Sequence, residues 1–193
     1  MFRYYLIAIG VCMALIYGVN AAFILPIAEI SYGGLALYLL LAVAAAFVAD
    51  ALAALFTRYV LPKSFFDPTK KRYSTLKGEK RLYVRLGIRK WKDKIPETGG
   101  ILVGFQKSKA LDLHDNAYVY KFMEETCYAE VMHLISIPLG AVALLACPKT
   151  LMGTVALPVV LVNALLQLLP VMVQRFIRPQ LMRVYNGNLK RGK

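Results

Sequence analysis

The chain has 193 residues, of which 59% are hydrophobic and 18% are charged. Soluble globular proteins have roughly 45–50% apolar and about 25% charged residues, so this composition excludes that class and excludes a disordered chain even more strongly. The net charge is +13, from 24 Lys and Arg against 11 Asp and Glu. These values indicate a small integral membrane protein whose charge is concentrated in a few segments.

Four apolar runs occur along the chain, at 4–28, 35–59, 129–146 and 151–173. A helix needs about 20 apolar residues to cross the ~30 Å hydrocarbon core of a bilayer. A turn-like sequence at 29–34 separates the first two runs, and Pro148-Lys149-Thr150 separates the last two. The sequence therefore predicts an all-α integral membrane protein with four transmembrane helices, arranged as two hairpins.

The basic residues give this topology an orientation. Residues 58–121 hold 16 of the 24 Lys and Arg, and residues 174–193 hold six more. Cytoplasmic segments of membrane proteins carry an excess of Lys and Arg. We therefore predict a multi-pass protein of the cell membrane, with both termini and the central segment in the cytoplasm.

Four segments follow from these patterns. They are an N-terminal transmembrane hairpin at 1–61, a basic interfacial segment at 62–128, a second transmembrane hairpin at 129–176 and a basic cytoplasmic tail at 177–193. The segment at 62–128 interleaves aromatic and aliphatic residues with basic ones, which is typical of a layer that lies among lipid headgroups. Near its end, Asp115 is the predicted N-cap of a helix that leads into the third crossing.

Three ionisable residues at the third crossing are candidates for chemistry. Glu130 and His133 are three residues apart and share a helix face, and Glu125 lies upstream. A histidine whose tautomer is fixed by a carboxylate can act as a general base. The alternative is a polar pair that anchors the end of the helix at the headgroups.

Asp50 is an ionisable residue inside the second crossing. It lies about 12 Å below Arg58 if each helical residue rises about 1.5 Å. Ionisable groups at such depth are functional candidates, so Asp50 could orient His133 or pair with an arginine. The alternative, which we favour, is a protonated or water-bonded side chain that packs the two hairpins together.

Polar residues also mark the end of the fourth crossing, at Gln174, Arg175 and Arg178. The predicted topology brings them to the same membrane face as His133. Arg175 could bind a phosphate or stabilise an oxyanion. The alternatives are an ion pair between Arg175 and Glu130, or arginines that extend towards lipid phosphates.

The basic stretch at 85–94 includes Lys90, Trp91, Lys92 and Asp93, and it predicts a surface that attracts phosphates. Nucleic acid is a weak candidate partner, because anionic lipid is nearer to a segment tethered at the bilayer. The alternative is that this basic stretch only adheres to the membrane surface. Neither a P-loop nor zinc-type spacing of Cys and His occurs in the sequence, so no metal site is predicted.

Four blocks, taken together and in order, resemble one family. They are LGIRKWKDKIPETG at 86–99, GFQK at 104–107, FMEETCYAEVMH at 122–133 and LPVMVQRFIRPQL at 169–181. The chain resembles the glycosyl-4,4'-diaponeurosporenoate acyltransferases over roughly 62–182. These are small bacterial membrane enzymes of staphyloxanthin-type carotenoid synthesis.

The resemblance implies transfer of a fatty acyl group from a thioester donor, with acyl-CoA as the expected co-substrate and no cofactor, to a sugar hydroxyl of a lipid-linked glycoside. It implies His133 as the base, held by Glu130 or Glu125, and Arg175 or Gln174 as the group that stabilises the oxyanion. The expected partners are membrane lipid, the acyl donor and the lipid-linked sugar acceptor, and the oligomeric state is left open. The matching polar positions are Trp91, Lys92, Asp93, Glu125, Glu130, His133, Gln174, Arg175, Arg178 and Pro179.

A non-catalytic alternative stays open at this point. A protein that binds or scaffolds lipids at the cytoplasmic leaflet would use the same basic segment for anionic headgroups. Its Glu, His and Arg residues would then serve only to hold the helices together.

Overall fold

Four long helices make up most of the computed structural model, which describes residues 2–95 and 113–191. They are α1 (Phe2–Phe23), α2 (Tyr32–Leu55), α3 (Asn116–Leu139) and α4 (Leu157–Lys190). Shorter α-helical segments are Leu25–Ala28, Glu79–Arg85, Ile88–Trp91 and Lys149–Leu151. Segments of π-helix are Phe56–Val60 and Met152–Ala156. Segments of 3-10 helix are Lys63–Phe66, Lys71–Tyr73, Lys92–Lys94 and Gly140–Ala146.

All regular structure across the two described ranges is helical, which confirms the predicted all-α class. The sequence block at 104–107 and the last four residues of the block at 86–99 lie outside the described residues.

Within those ranges, four stretches are long and apolar enough to cross a membrane, and they correspond in order to the four predicted crossings. They are Leu6–Phe23, Tyr32–Val60, Asn116–Ala146 and Lys149–Lys190. Large apolar side chains point outward from these helices, with Leu15 62% exposed and Leu165 63% exposed. Such outward apolar surface is what a helix presents to lipid. The arrangement as two hairpins, the orientation and the basic layer stay predictions.

Short polar side chains begin two of the long helices. Ser31 precedes α2, and its Oγ accepts a hydrogen bond from the backbone N–H of Gly34 at 3.0 Å. Asp115 precedes α3, and its Oδ1 accepts from the N–H of Ala117 at 2.8 Å. Each bond satisfies a backbone donor that has no partner inside the helix, and the second confirms the N-cap predicted at Asp115.

The helix α4 continues well past the predicted end of the fourth crossing at residue 173. Its later residues pack against the start of α3, where Leu181 forms one apolar cluster with Val119, Phe122 and Met123. The Nδ2 group of Asn188 also donates to the carbonyl of Leu113 at 2.7 Å. These contacts keep the segment predicted as a basic tail helical as far as Lys190.

The chain divides into two compact units, and the division falls inside α3 and α4. Unit 1 contains Met1–Phe56 and His133–Leu168, and unit 2 contains Thr57–Met132 and Leu169–Lys193. The four segments predicted from the sequence are bounded by membrane crossings, whereas the two units are defined by packing. The two units therefore do not test the predicted segments, which stay predictions.

The core of unit 1 joins α2 to the turns around Gly140–Ala146 and Met152–Ala156. Small residues on one face of α2, Ala42 and Ala46, are buried and allow close approach of the neighbouring backbone. The core of unit 2 contains the ring of Phe66 stacked on that of Tyr128, with ring centroids 3.6 Å apart.

Asn20 fastens α1 inside unit 1. Its side chain is 1% exposed, and its Nδ2 group donates to the carbonyls of Ile16 and Thr154, each at 2.8 Å. The bond to Thr154 spans 134 residues of sequence, so it connects α1 directly to the turn that precedes α4.

We expect Asn20→Ala to destabilise the protein by about 1 kcal/mol, because it leaves the Thr154 carbonyl unpaired in apolar surroundings. The measurement is the melting temperature of the purified protein in detergent. Val19→Ala is the matched control, since Val19 is 56% exposed on the same helix. Equal melting temperatures for the two variants would contradict the fastening role of Asn20.

Candidate functional site

Arg175 lies in unit 2 and binds two carboxylates. Its Nε and Nη2 groups donate to the two oxygens of Glu79, at 2.5 and 2.8 Å, and its Nη1 group donates to Glu130 at 2.7 Å. Its Nη2 group also donates to the carbonyl of Ser74 at 3.1 Å. The planar guanidinium fits such a fork-shaped contact with a carboxylate. The segment around Glu79 is thereby held on α4.

Glu130 is shared between Arg175 and a second arginine. Arg178 is 2% exposed, and its Nη1 group lies 2.5 Å from the second carboxylate oxygen of Glu130, which is 3% exposed. Arg178 also donates to the hydroxyl and the carbonyl of Thr126, at 2.8 and 2.9 Å, and to the carbonyl of Tyr73 at 3.2 Å. Buried charges need such partners, because leaving one unpaired destabilises the fold strongly.

Glu79 is held ionised by this cluster. Burial would by itself raise its pKa, but hydrogen bonds from Arg175, Tyr83 and the N–H of Leu76 outweigh that effect and hold the pKa at about 2. Burial and the hydrogen bond to Glu79 raise the pKa of Tyr83 to about 12. The phenol therefore stays neutral at physiological pH and donates a hydrogen bond to the carboxylate.

Glu125, a predicted holder of the histidine ring, binds two cations at the edge of unit 2. Arg58 donates to both of its oxygens, at 3.2 and 3.3 Å, and the ammonium group of Lys121 lies 3.1 Å away.

The predicted phosphate-attracting residues lie at the surface of unit 2. Lys90 is exposed, and Lys92 pairs with Asp93 at 2.6 Å. The indole N–H of Trp91 donates to the carbonyl of Leu86 at 3.0 Å, while its ring packs beside Phe176. Gln174 is half-buried on α4. The substrate contacts predicted for these residues stay predictions.

His133 belongs to unit 1, where its Nδ1 atom lies 2.5 Å from Oε1 of Gln167. A carboxamide oxygen only accepts hydrogen bonds, so Nδ1 carries the proton and Nε2 keeps its lone pair. Within residues 2–95 and 113–191, Nε2 has no hydrogen-bond partner. Gln167 thus fixes the tautomer that a general base requires, a role that the sequence assigned to a carboxylate.

Asp50 lies close to a second side-chain amide of α4, that of Asn163. The Nδ2 group of Asn163 donates to Oδ1 of Asp50 at 3.4 Å, and the side chains of Gln167 and Ser136 also face the Asp50 carboxyl group. Asn163 and Gln167 are four residues apart on α4, so they share a helix face. Asp50 and His133 are thus bonded to two carboxamides that lie one helical turn apart, and the orienting role considered for Asp50 stays a prediction.

Sequence reasoning missed several of these polar partners, namely Glu79, Thr126, Asn163 and Gln167. A signal for two of them was available, because Asn163 and Gln167 are the polar residues within the apolar run at 151–173 that recur at helical spacing. Glu79 gave a weaker signal, as one acidic residue in a strongly basic segment. Among the described residues, no group of three His, Cys, Asp or Glu side chains is arranged to hold a metal ion.

We expect the contribution of Glu79 to stability to depend on pH. Its pKa in the folded protein, about 2, lies below its ordinary value of 4.5. The carboxylate therefore stabilises the fold fully above the ordinary value, and this stabilisation is lost as the pH falls through about 2. Glu79→Gln should melt at a lower temperature than wild type at neutral pH, and the gap should close on acidification.

The measurement is the melting temperature of both proteins in detergent across this pH range. Asp93→Asn is the control, because Asp93 is 67% exposed and its surface pair with Lys92 contributes little. A gap for Glu79→Gln that stays constant with pH would contradict the assignment.

Comparison with known proteins gives one family. The sequence profile of the glycosyl-4,4'-diaponeurosporenoate acyltransferases matches residues 62–187, more than half of the chain. The matched range contains Glu79, Glu130, His133, Gln167 and Arg175. No curated protein and no solved structure gives a significant match.

This match confirms the family that the sequence blocks resemble, and it makes the protein an enzyme rather than a non-catalytic scaffold. The chain belongs to the glycosyl-4,4'-diaponeurosporenoate acyltransferase family, whose members transfer acyl groups in carotenoid glycoside synthesis.

Proposed function

We propose that the protein is a membrane-bound O-acyltransferase that moves a fatty acyl group from a thioester donor to a hydroxyl of a glycolipid. The observation that carries the proposal is the hydrogen bond between His133 and Gln167, which leaves one imidazole nitrogen free to accept a proton. The family match supplies the reaction class.

In the proposed reaction, Nε2 of His133 takes the proton from the acceptor hydroxyl as its oxygen attacks the thioester carbonyl carbon. The tetrahedral intermediate then collapses, the carbon–sulfur bond breaks, and the imidazolium returns the proton to the departing thiolate. The products are an ester and a free thiol, so His133 ends in its starting state. Gln167 keeps Nδ1 protonated throughout by accepting a hydrogen bond from its N–H group.

We propose coenzyme A as the thiol of the donor. Its phosphates suit the basic surface that includes Lys90 and Lys92, because ammonium groups attract phosphate. The positive-inside rule puts this surface on the cytoplasmic side, where coenzyme A thioesters are made. Trp91 and Asp93 lie on the same segment and are proposed to shape that contact.

The arginine cluster of unit 2 has two proposed roles. Arg175 has two carboxylates and a carbonyl as partners, so its first role is to hold the segment around Glu79 on α4. Its second role, stabilising the developing oxyanion with help from Gln174, stays the proposal that the family resemblance implied. Glu130 and Arg178 support Arg175 within this cluster, whereas Glu125 holds Arg58 and Lys121.

We expect His133→Ala to lower turnover about 10²–10⁴-fold, the usual contribution of a general base. The assay adds acyl-CoA and a glycosyl carotenoid to the protein in lipid nanodiscs and measures, by mass spectrometry, a product heavier by one acyl chain. His114→Ala is the matched control, since the chain has two histidines and His114 is the exposed one. Full activity of His133→Ala would refute the mechanism, and wild-type protein that makes no acylated lipid would refute the function.

Gln167 is a positioning residue, and we expect two substitutions to separate its hydrogen bond from its bulk. Gln167→Leu should lower kcat about tenfold with both KM values unchanged, because one hydrogen bond of about 1 kcal/mol or slightly more is lost. Gln167→Asn keeps a neutral carboxamide acceptor on a shorter side chain and should retain more of kcat than Gln167→Leu. If both variants lose activity equally, Gln167 does not act through the His133 tautomer.

A further inference from the structure

An apolar pocket lies inside unit 1, between α1, α2 and α4. It is a half-open cleft with about 430 Å³ of empty space, part of which is continuous with the surroundings of the helices. Its apolar lining includes Ile9, Cys12 and Ile16 from α1, Val43 from α2, and Val159 and Leu166 from α4. Because each helix contributes about two turns, the pocket is elongated along the helices, which suits a single lipid chain.

Two polar side chains, Asp50 and Asn163, also line this pocket. Asn163 donates one N–H to Oδ1 of Asp50. That bond leaves acceptor capacity on the Asp50 carboxyl group and on the carboxamide oxygen of Asn163, and it leaves the second N–H of Asn163 as a donor. The polar part of the pocket therefore suits a group that both donates and accepts hydrogen bonds.

This preference distinguishes between the two substrates of the proposed reaction. A thioester carbonyl is only an acceptor, so it can pair with the Asn163 N–H but not with the Asp50 carboxyl oxygens. A lipid alcohol or a sugar has O–H groups that can donate to Asp50 and also accept from Asn163. The polar part of the pocket also lies near the proposed base, because Asn163 is one helical turn from Gln167, which bonds to His133.

Gly140 leaves room for the Asn163 amide. A Cβ atom on Gly140 would lie 2.5 Å from Nδ2 of Asn163, closer than packing allows without a shift of the amide. With only a hydrogen at this position, the amide can stay within reach of Asp50.

We propose that this pocket is the acceptor subsite, which holds one apolar chain whose hydroxyl-bearing head donates hydrogen bonds to Asp50 and Asn163. The inference deepens the proposed function and rests on it. It implies that the acyl donor binds outside this pocket. It also implies that the pocket residues of α1 and α2 select the apolar chain of the acceptor.

The test is photo-crosslinking of the full-length protein in lipid nanodiscs, which requires no turnover. The probe is dodecyl β-glucoside with a diazirine in its chain, and peptide mass spectrometry locates the labelled residues. The two comparison probes are the same glucoside with every hydroxyl methylated and palmitoyl-CoA with a diazirine in its chain. We expect the free glucoside alone to label the pocket.

Two matched pairs of proteins sharpen the result. Ile16→Trp fills the pocket and should lower labelling about tenfold, whereas Leu15→Trp, on the lipid-facing side of α1, should leave it unchanged. Asp50→Asn replaces an acceptor by a donor at constant shape and should weaken glucoside labelling about tenfold relative to wild type, as expected for one lost hydrogen bond to a carboxylate.

Labelling of the pocket by palmitoyl-CoA in place of the glucoside would overturn the proposal and make the pocket the donor subsite. Equal labelling by the methylated glucoside, or no pocket labelling at all, would overturn it as well. These failures are separate from failure of the proposed function, which appears as absent acyl transfer. Acyl transfer without pocket labelling rejects only the subsite, and labelling without transfer rejects only the reaction.

Discussion

The need to pair buried charged groups and side-chain amide N–H donors governs both units of this protein. In unit 2 the groups are charged, and Glu130 sits between Arg175 and Arg178 with almost no exposure to solvent. Among the described residues, removing Glu130 would leave the buried Arg178 without a carboxylate partner, and removing Arg175 would leave Glu79 without its cation. The short segments between α2 and α3 are therefore not loosely attached, since Tyr73, Ser74 and Glu79 complete the arginine contacts.

Unit 1 meets the same need with neutral groups, and the chemical outcome differs. Carboxamides donate and accept without net charge, so Gln167 can bond to His133 and Asn163 to Asp50 inside apolar surroundings. A carboxylate bonded to the ring would add a charge that the hydrocarbon environment disfavours. An amide fixes the tautomer at lower desolvation cost and leaves the second nitrogen available for chemistry.

Periodicity and charge were sufficient to predict the helices, their number and the start of α3 at Asp115, because these depend on local sequence. The end of α4 was not predicted, because residues 174–190 look polar in sequence and are helical only through contacts with Val119, Met123 and Leu113. The candidate site divides in the same way. His133, Glu130 and Arg175 stand out as ionisable groups in apolar runs, whereas their partners Gln167 and Glu79 depend on packing between distant segments.

The matched range of the family begins at residue 62, after α2 has ended. It contains His133 and Gln167, which carry the proposed chemistry, and the α4 wall of the pocket with Asn163, but not Asp50 or the α1 and α2 walls. Under the proposed acceptor subsite, the reaction is therefore encoded within the matched range, whereas much of the choice of acceptor is encoded before it. Substitutions in the first two helices can then change which lipid is acylated while the proton-transfer geometry stays the same, since specificity follows pocket shape and the reaction follows the base.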